Sequence, residues 1–309
     1  MVDRPVAVTG AGGYVGGRLV GHLTRQGRPV RALSRRPIPW LPEAVPVDLA
    51  TADDDAVAAA LDGCRAVVHL AGASEVRFAA DPDVALAETV VAAQRVARAA
   101  GAAGIDRVVV ASTVHVYGAA LQPGATVDHH TLPGPRHPYA VARLAGEHLV
   151  AGLVSSPVAL RLTNAVGAPV DGRVDRWTLV ANELCARAAR GEALVLRSSG
   201  RQWRDFVDLG DVCDVLDAAT DPAFPAGTYD LGSGTSTTVL ELAELIAEVA
   251  AEVTGHRPPV DAPPHDGAVP EPFHVSVAAL AALGHRPSTP LRAAGEETIR
   301  ACVADPPPG

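Results

Sequence analysis

The feature that most limits what this chain can fold into is a cluster of glycines placed directly after a short apolar run. Pro5 to Thr9 reads as a β-strand, and Thr9-Gly10-Ala11-Gly12-Gly13-Tyr14-Val15-Gly16 follows without a break. Val15, Leu19 and Leu23 then recur at helical spacing until Gly27, a natural C-terminal stop. Each glycine of the G-x-x-G-x-x-G triplet has a separate physical task. Gly10 permits the tight strand-to-helix turn, Gly13 lets the backbone approach a pyrophosphate, and Gly16 lets the helix pack close to the sheet. Tyr14 and Val15 ride on the same turn. Free N–H groups and the helix dipole then favour negative charge at the helix start. A glycine triplet alone is weak evidence, but one that follows a strand and opens an amphipathic helix predicts a dinucleotide-binding β-α-β unit.

The second strand, Pro29 to Leu33, ends in Ser34-Arg35-Arg36. A site for NAD usually carries an acidic residue here to grip the adenine-ribose hydroxyls. Ser34 takes that place, and the guanidinium forks of Arg35 and Arg36 suit a phosphate, which points to NADP(H), with NAD(H) as the alternative. Asp48 and Leu49, after the next short strand, are expected to line the adenine pocket. Further strands are expected at Arg65–Leu70, Arg107–Ala111, Pro157–Leu162 and Thr228–Leu231, with helices at Val84–Ala100, Trp177–Arg190 and Val239–Val253. Ala119 to Pro138 reads as a long Gly/Pro/His-rich loop, of a length that is usually functional. Strands alternating with helices predict right-handed crossovers and a mostly parallel sheet. The expected fold is therefore α/β, a Rossmann-type doubly wound parallel sheet with a smaller, mostly C-terminal substrate-binding lobe. Residues 1–165 would form the first domain, with returns near 212–234, and 166–309 the lobe.

Composition excludes several chemistries. The chain has no lysine, so all 26 basic residues are arginine, and neither Schiff-base chemistry nor a P-loop lysine is available. A net charge of -9 argues against a nucleic-acid or acidic-membrane partner. Cys64, Cys185, Cys213 and Cys302 lie far apart, with no C-x-x-C pair and no histidine at metal spacing, so reduced buried thiols and no metal site are expected. No stretch reads as a signal peptide or a bilayer span, and a cytoplasmic location is expected.

Thr113 stands at the end of a buried strand in Ala111-Ser112-Thr113-Val114-His115-Val116-Tyr117-Gly118. After the long loop, Tyr139 and Arg143 are four residues apart, so in a helix they share one face. Here the chain resembles the extended short-chain dehydrogenase/reductases, the NAD(P)-dependent epimerase/dehydratase family, nearly end to end. His69-Leu70-Ala71-Gly72-Ala73 resembles that family's cofactor-lining segment, and Arg161-Leu162-Thr163-Asn164-Ala165-Val166-Gly167 its R-x-x-N-x-x-G strand end. Arg204-Asp205-Phe206 with Asp211-Val212, then Tyr229 to Gly234, and Leu283-Gly284-His285-Arg286-Pro287 follow in the family's order.

The resemblance implies that Thr113 hydrogen-bonds the reacting oxygen, that Tyr139 passes the proton, and that Leu70, Ala71 and Gly72 touch the cofactor. Asn164 and Arg204 would hold the diphosphate and nucleoside of an activated sugar; a structural cap and a surface ion pair are the other readings of those two. Where the family has lysine, this chain has Arg143, which keeps the charge and the donors but cannot release a proton. His115 would face substrate as a general acid, or pack at the strand end. The expected function is an NADPH-dependent ketoreductase of a nucleotide-activated 4-keto-6-deoxy sugar, working as a homodimer. A nucleotide-sugar epimerase on retained NAD and a non-catalytic dinucleotide sensor are the alternatives.

Overall fold

The computed structural model describes residues 4–174, 176–264 and 267–307. The chain divides into two compact units: Met1–Ala120, His129–Leu162 and Cys213–Asp230 form the first, and Leu121–Asp128, Thr163–Val212 and Leu231–Gly309 the second.

Strands Val6–Thr9 and Ala66–His69 are buried along their whole length, as expected of a parallel sheet covered on both faces. The first unit's seven-stranded sheet runs, from one edge, Gly227–Leu231, Ser156–Leu162, Arg107–Thr113, Ala66–His69, Val6–Thr9, Val30–Ser34 and Val45–Pro46. Every pairing from Ser156–Leu162 across to Val45–Pro46 is parallel. The chain steps outward from Val6–Thr9 on one side, then returns to Ala66–His69 on the other, so the strand order reverses between these two. In open α/β sheets a crevice forms beyond the carboxyl ends at such a reversal. Thr9 and His69 are partners in register, which brings Gly10 and Leu70 out of the sheet side by side.

Two expectations are corrected. The helix expected at Val84–Ala100 is interrupted: Pro82–Leu86 and Ala92–Ala102 are α-helical, but Ala87–Val91 between them is a π turn. The span from Ala119 to Pro138 is not one loop. Its segment Leu121–Asp128 belongs to the second unit, where Thr126–Val127 pairs in parallel with His274–Val275. The chain turns beforehand at Gly118, whose φ of +53° suits glycine, and a Cβ there would lie 1.9 Å from the carbonyl oxygen of Gly134. Helix Pro138–Leu153 begins with proline at its first position and His137 at its cap, where Nδ1 accepts from the Tyr139 N–H at 3.3 Å.

In the second unit, helices Val180–Ala189, Val239–Thr254 and Leu291–Ala304 share a core with the strands Asn164–Val166 and Trp203–Asp208. The middle helix opens with a Thr238–Glu241 capping box and closes on Gly255 at φ +77°. Asp205 is the polar centre of this unit. It accepts from Thr163 Oγ1 at 2.9 Å, and from the Ser233 and Gly234 N–H groups at 2.8 Å each. Burial pushes its carboxyl pKa up, and these hydrogen bonds oppose the push.

A buried chain of side chains links five elements of the first unit. Glu147, from helix Pro138–Leu153, takes Arg161 of strand Ser156–Leu162 through Nε (3.2 Å) and Nη2 (2.7 Å), and accepts from the Ser112 hydroxyl. Arg161 Nη1 reaches the Tyr117 hydroxyl at 3.1 Å, and that hydroxyl donates to Asp230 Oδ1 at 2.6 Å. Glu147 and Arg161 are each only 5% exposed. Burial works against the guanidinium's charge, yet attraction to Glu147 outweighs it and holds Arg161 above the usual arginine range. Burial and the contact with Asp230 likewise raise the Tyr117 phenol. An unpaired charge at this depth is costly. Glu147→Ala is therefore expected to lower unfolding stability by about 3–5 kcal/mol, read from the denaturant midpoint at constant slope. A loss below about 1 kcal/mol would show that the pair is dispensable.

Candidate active site

The cofactor-facing half is built where the sheet order reverses. Gly10 has φ +66°, and a Cβ on it would stand 2.9 Å from the Ala71 nitrogen. A Cβ on Gly16 would stand 2.1 Å from the Gly10 carbonyl oxygen. No side chain larger than hydrogen fits at either place. Gly13 caps helix Tyr14–Arg25 with extended backbone and no side-chain cap, and no acidic residue occupies the first turn. That helix start therefore offers N–H donors with no built-in competitor, which fits a pyrophosphate. Tyr14 is buried in this turn, and Val15 is half-buried.

Thr9 organises the opposite wall. Its hydroxyl oxygen accepts from the Leu70 and Ala71 N–H groups, both at 3.2 Å, and lies 2.9 Å from His69 Nδ1. With its lone pairs so engaged, the hydroxyl proton points to Nδ1, which fixes the imidazole tautomer. Burial first, and the charge of Arg143 second, push the His69 pKa down to about 3, so the ring stays neutral.

At the end of the second strand, the Ser34 hydroxyl sits 3.5 Å from where a Gly12 Cβ would be and accepts from the Arg36 N–H at 3.4 Å. Arg35 pairs with Glu88 of the π turn, and Arg36 is exposed. Asp48 Oδ1 accepts from the Ala50 N–H at 3.0 Å, and Arg95 donates to the Leu49 carbonyl at 3.0 Å, which fixes this bend.

The second half of the candidate site gathers around Arg143. Its guanidinium carbon lies 5.3 Å from the centre of the Tyr139 ring, and Nη1 donates to the Ala111 carbonyl, two residues before Thr113, at 3.3 Å. A Cβ on Gly72 would come within 2.9 Å of both terminal nitrogens. The glycine thus makes the room that a fork broader than an ammonium requires. Arg143 Nε is buried with no hydrogen-bond partner among the described residues, a donor that a ligand oxygen would satisfy. Tyr139 is half-buried, its ring set edge-on to Phe78 with centroids 6.2 Å apart. Thr113 is buried, and its hydroxyl accepts from the His115 N–H at 3.2 Å. The His115 side chain is exposed.

Asn164 and Arg204 belong to the second unit. The Asn164 amide donates to the Asp205 carbonyl at 2.8 Å, on adjacent parallel strands, and Arg204 Nη1 donates to the Trp203 carbonyl at 2.9 Å. Sequence reasoning did not single out Phe78, Glu88 or Thr89. Thr89 accepts from the Ala73 N–H at 3.0 Å and so braces the Leu70–Ala73 segment. A buried threonine and a glutamate on an interrupted helix carry no spacing signature. Among the described residues no group of three or more His, Cys, Asp or Glu could hold a metal ion, and no helix is long and apolar enough to cross a membrane.

A sequence profile of the NAD dependent epimerase/dehydratase family matches residues 6–232. A dTDP-6-deoxy-L-talose 4-dehydrogenase (NAD(P)(+)) from Kitasatospora kifunensis is 33% identical, with 94% of this chain and 93% of that protein covered. A UDP-glucose 4-epimerase from Rhizobium leguminosarum bv. trifolii is 30% identical over 81% of this chain and 83% of its own. Among solved structures, MoeE5 in complex with UDP-glucose and NAD superposes with a TM-score of 0.78 at 28% identity, covering 96% of this chain and 97% of that one. With its glycine cradle, its Tyr139–Arg143 pair and these relatives spanning nearly its full length, the chain belongs to the NAD-dependent epimerase/dehydratase family and is an NAD(P)-dependent enzyme of the extended short-chain dehydrogenase/reductase type.

Proposed function

We propose that this enzyme is an NADPH-dependent ketoreductase acting on a nucleotide-activated 4-keto-6-deoxy sugar. The observation that carries the reading is the Arg143 guanidinium, seated between the Tyr139 ring and Gly72 and bonded to the strand that ends in Thr113. The substrate class is supported by the 4-dehydrogenase of a dTDP-6-deoxy sugar that matches over nearly the whole chain. Gly10, Gly13 and Gly16 would cradle the dinucleotide phosphates, and Ser34, Arg35 and Arg36 its adenosine end. When bound, the nicotinamide supplies a hydride to the carbonyl carbon.

Tyr139 donates its phenolic proton to the carbonyl oxygen as that oxygen gains charge, and the Thr113 hydroxyl donates a hydrogen bond to the same atom. The fixed charge of Arg143 favours the negative oxygen left on Tyr139. Arginine cannot itself relay a proton, so the phenol must be reprotonated by solvent or a solvent-linked hydroxyl. Asn164 and Arg204 would hold the diphosphate and nucleoside. The epimerase alternative rests on the UDP-glucose 4-epimerase relatives, which match this chain at 32% and 30% identity. Native mass spectrometry separates the two readings: a reductase exchanges its dinucleotide every turnover, whereas a protein that keeps NAD bound through purification would favour epimerisation.

Tyr139→Phe is expected to cut turnover of a 4-keto-6-deoxy sugar nucleotide about 10²–10⁴-fold while cofactor affinity holds. Arg143→Ala should lower both, and Arg143→Lys should retain measurable turnover, since it keeps charge and donors. Wild-type speed in Tyr139→Phe would remove this pair from the chemistry. An inert wild type beside an active Arg143→Lys would mark a degenerate enzyme that only binds dinucleotide. For the substrate, calorimetry with UDP and dTDP in the presence of cofactor should show binding that Arg204→Ala weakens by about tenfold or more, as for a lost charge-assisted contact. Binding of neither nucleotide at millimolar concentration would exclude an activated sugar.

A further inference from the structure

The π turn Ala87–Val91 places two neighbouring side chains on two different parts of the cofactor groove. Thr89 accepts from the Ala73 N–H at 3.0 Å, so the turn is tied to the segment that follows Leu70. Glu88, the next residue back, sends its carboxylate to Arg35 Nη1 at the end of the second strand. The Glu88 side chain is 12% exposed and that of Arg35 45%. The same Glu88 oxygen lies 3.7 Å from Arg77 Nη2, whose side chain is 42% exposed. One largely buried carboxylate thus stands between two half-exposed cations, one of which is the cation proposed to read the adenosine 2′-phosphate.

We propose that Glu88 sets which dinucleotide the groove takes, by holding Arg35 in the place of a 2′-phosphate and releasing it to the phosphate while staying paired with Arg77. This rests on the reading of Arg35 as a phosphate ligand. A phosphate monoester carries about -1.5 to -2 charge at pH 7 and accepts a guanidinium fork bidentately, so it displaces a single carboxylate from Arg35. Glu88 is too buried to be left without a counter-charge, and Arg77 is already within reach to supply one. With a dinucleotide that lacks the phosphate, the Arg35–Glu88 pair stands and no charge is left unmatched. Ser34 neither grips ribose hydroxyls as a carboxylate would nor repels a phosphate. The device therefore admits both cofactors and tempers the preference for the phosphorylated one. The π turn matters because it is anchored: Thr89 fixes the backbone from which Glu88 reaches.

The test titrates NADPH, NADH, 2′,5′-ADP and 5′-AMP into the full-length protein by calorimetry, so it needs no substrate. Glu88→Gln frees Arg35 and should tighten NADPH and 2′,5′-ADP about tenfold, leaving NADH and 5′-AMP within twofold. Arg77→Ala, a change at a half-exposed side chain, removes the second partner and should weaken NADPH about tenfold with NADH unchanged. Unaltered NADPH-to-NADH affinity ratios in both variants, with Arg35→Ala still losing NADPH selectively, would overturn the role of Glu88 and leave the Arg35 reading intact. If Arg35→Ala itself spares NADPH, the phosphate reading fails and the role of Glu88 falls with it.

Discussion

The first unit depends on a buried ion pair that most of its active elements share. Arg161 and Glu147 sit deep between strand Ser156–Leu162 and helix Pro138–Leu153, and neither charge has access to water to compensate for the other's loss. Glu147 reaches Ser112, next to Thr113 in sequence, and lies one helical turn beyond Arg143 and two beyond Tyr139. Arg161 continues through Tyr117 to Asp230. Replacement by apolar side chains of similar volume would cost less in stability than this arrangement suggests, because desolvating two ions consumes most of their attraction. The pair joins helix Pro138–Leu153 to strand Ser156–Leu162, and a hydride-transfer site tolerates little error in how its elements are placed.

Having arginine in every basic position changes the local chemistry rather than the fold. A guanidinium is larger and planar, always charged, and presents donors in a fork. At position 143 the fork would collide with any side chain at residue 72, and the chain has glycine there. At position 35 it finds a carboxylate from the π turn, so a surface cation joins a three-residue charge cluster with Glu88 and Arg77. At position 143 shape matters as much as charge, whereas at position 35 one guanidinium nitrogen meets one carboxylate oxygen and charge dominates.

Much of the cofactor half was legible in the sequence. The Gly10, Gly13 and Gly16 spacing marked a strand-turn-helix because at Gly10 and Gly16 only hydrogen fits where backbones pass this closely, and the four-residue interval of Tyr139 and Arg143 placed both on one helix face. These are local rules, satisfied within one turn or one helix, so a linear reading recovers them. The family resemblance likewise followed from short segments in a fixed order. Tertiary structure alone decided the rest. Nothing in Ala87–Val91 announces a π turn, because the extra residue is accommodated by anchoring Thr89 to Ala73, a partner sixteen positions away. Leu121–Asp128 leaves for the second unit because Thr126–Val127 pairs with His274–Val275, nearly 150 residues later, and hydrogen bonds across that interval leave no periodicity in the chain. The sequence by itself determined the glycine turn after the first strand and the helix face that Tyr139 and Arg143 share. Packing decided which charges meet, since the free energy of an ion pair depends on burial and distance, and neither is written in spacing.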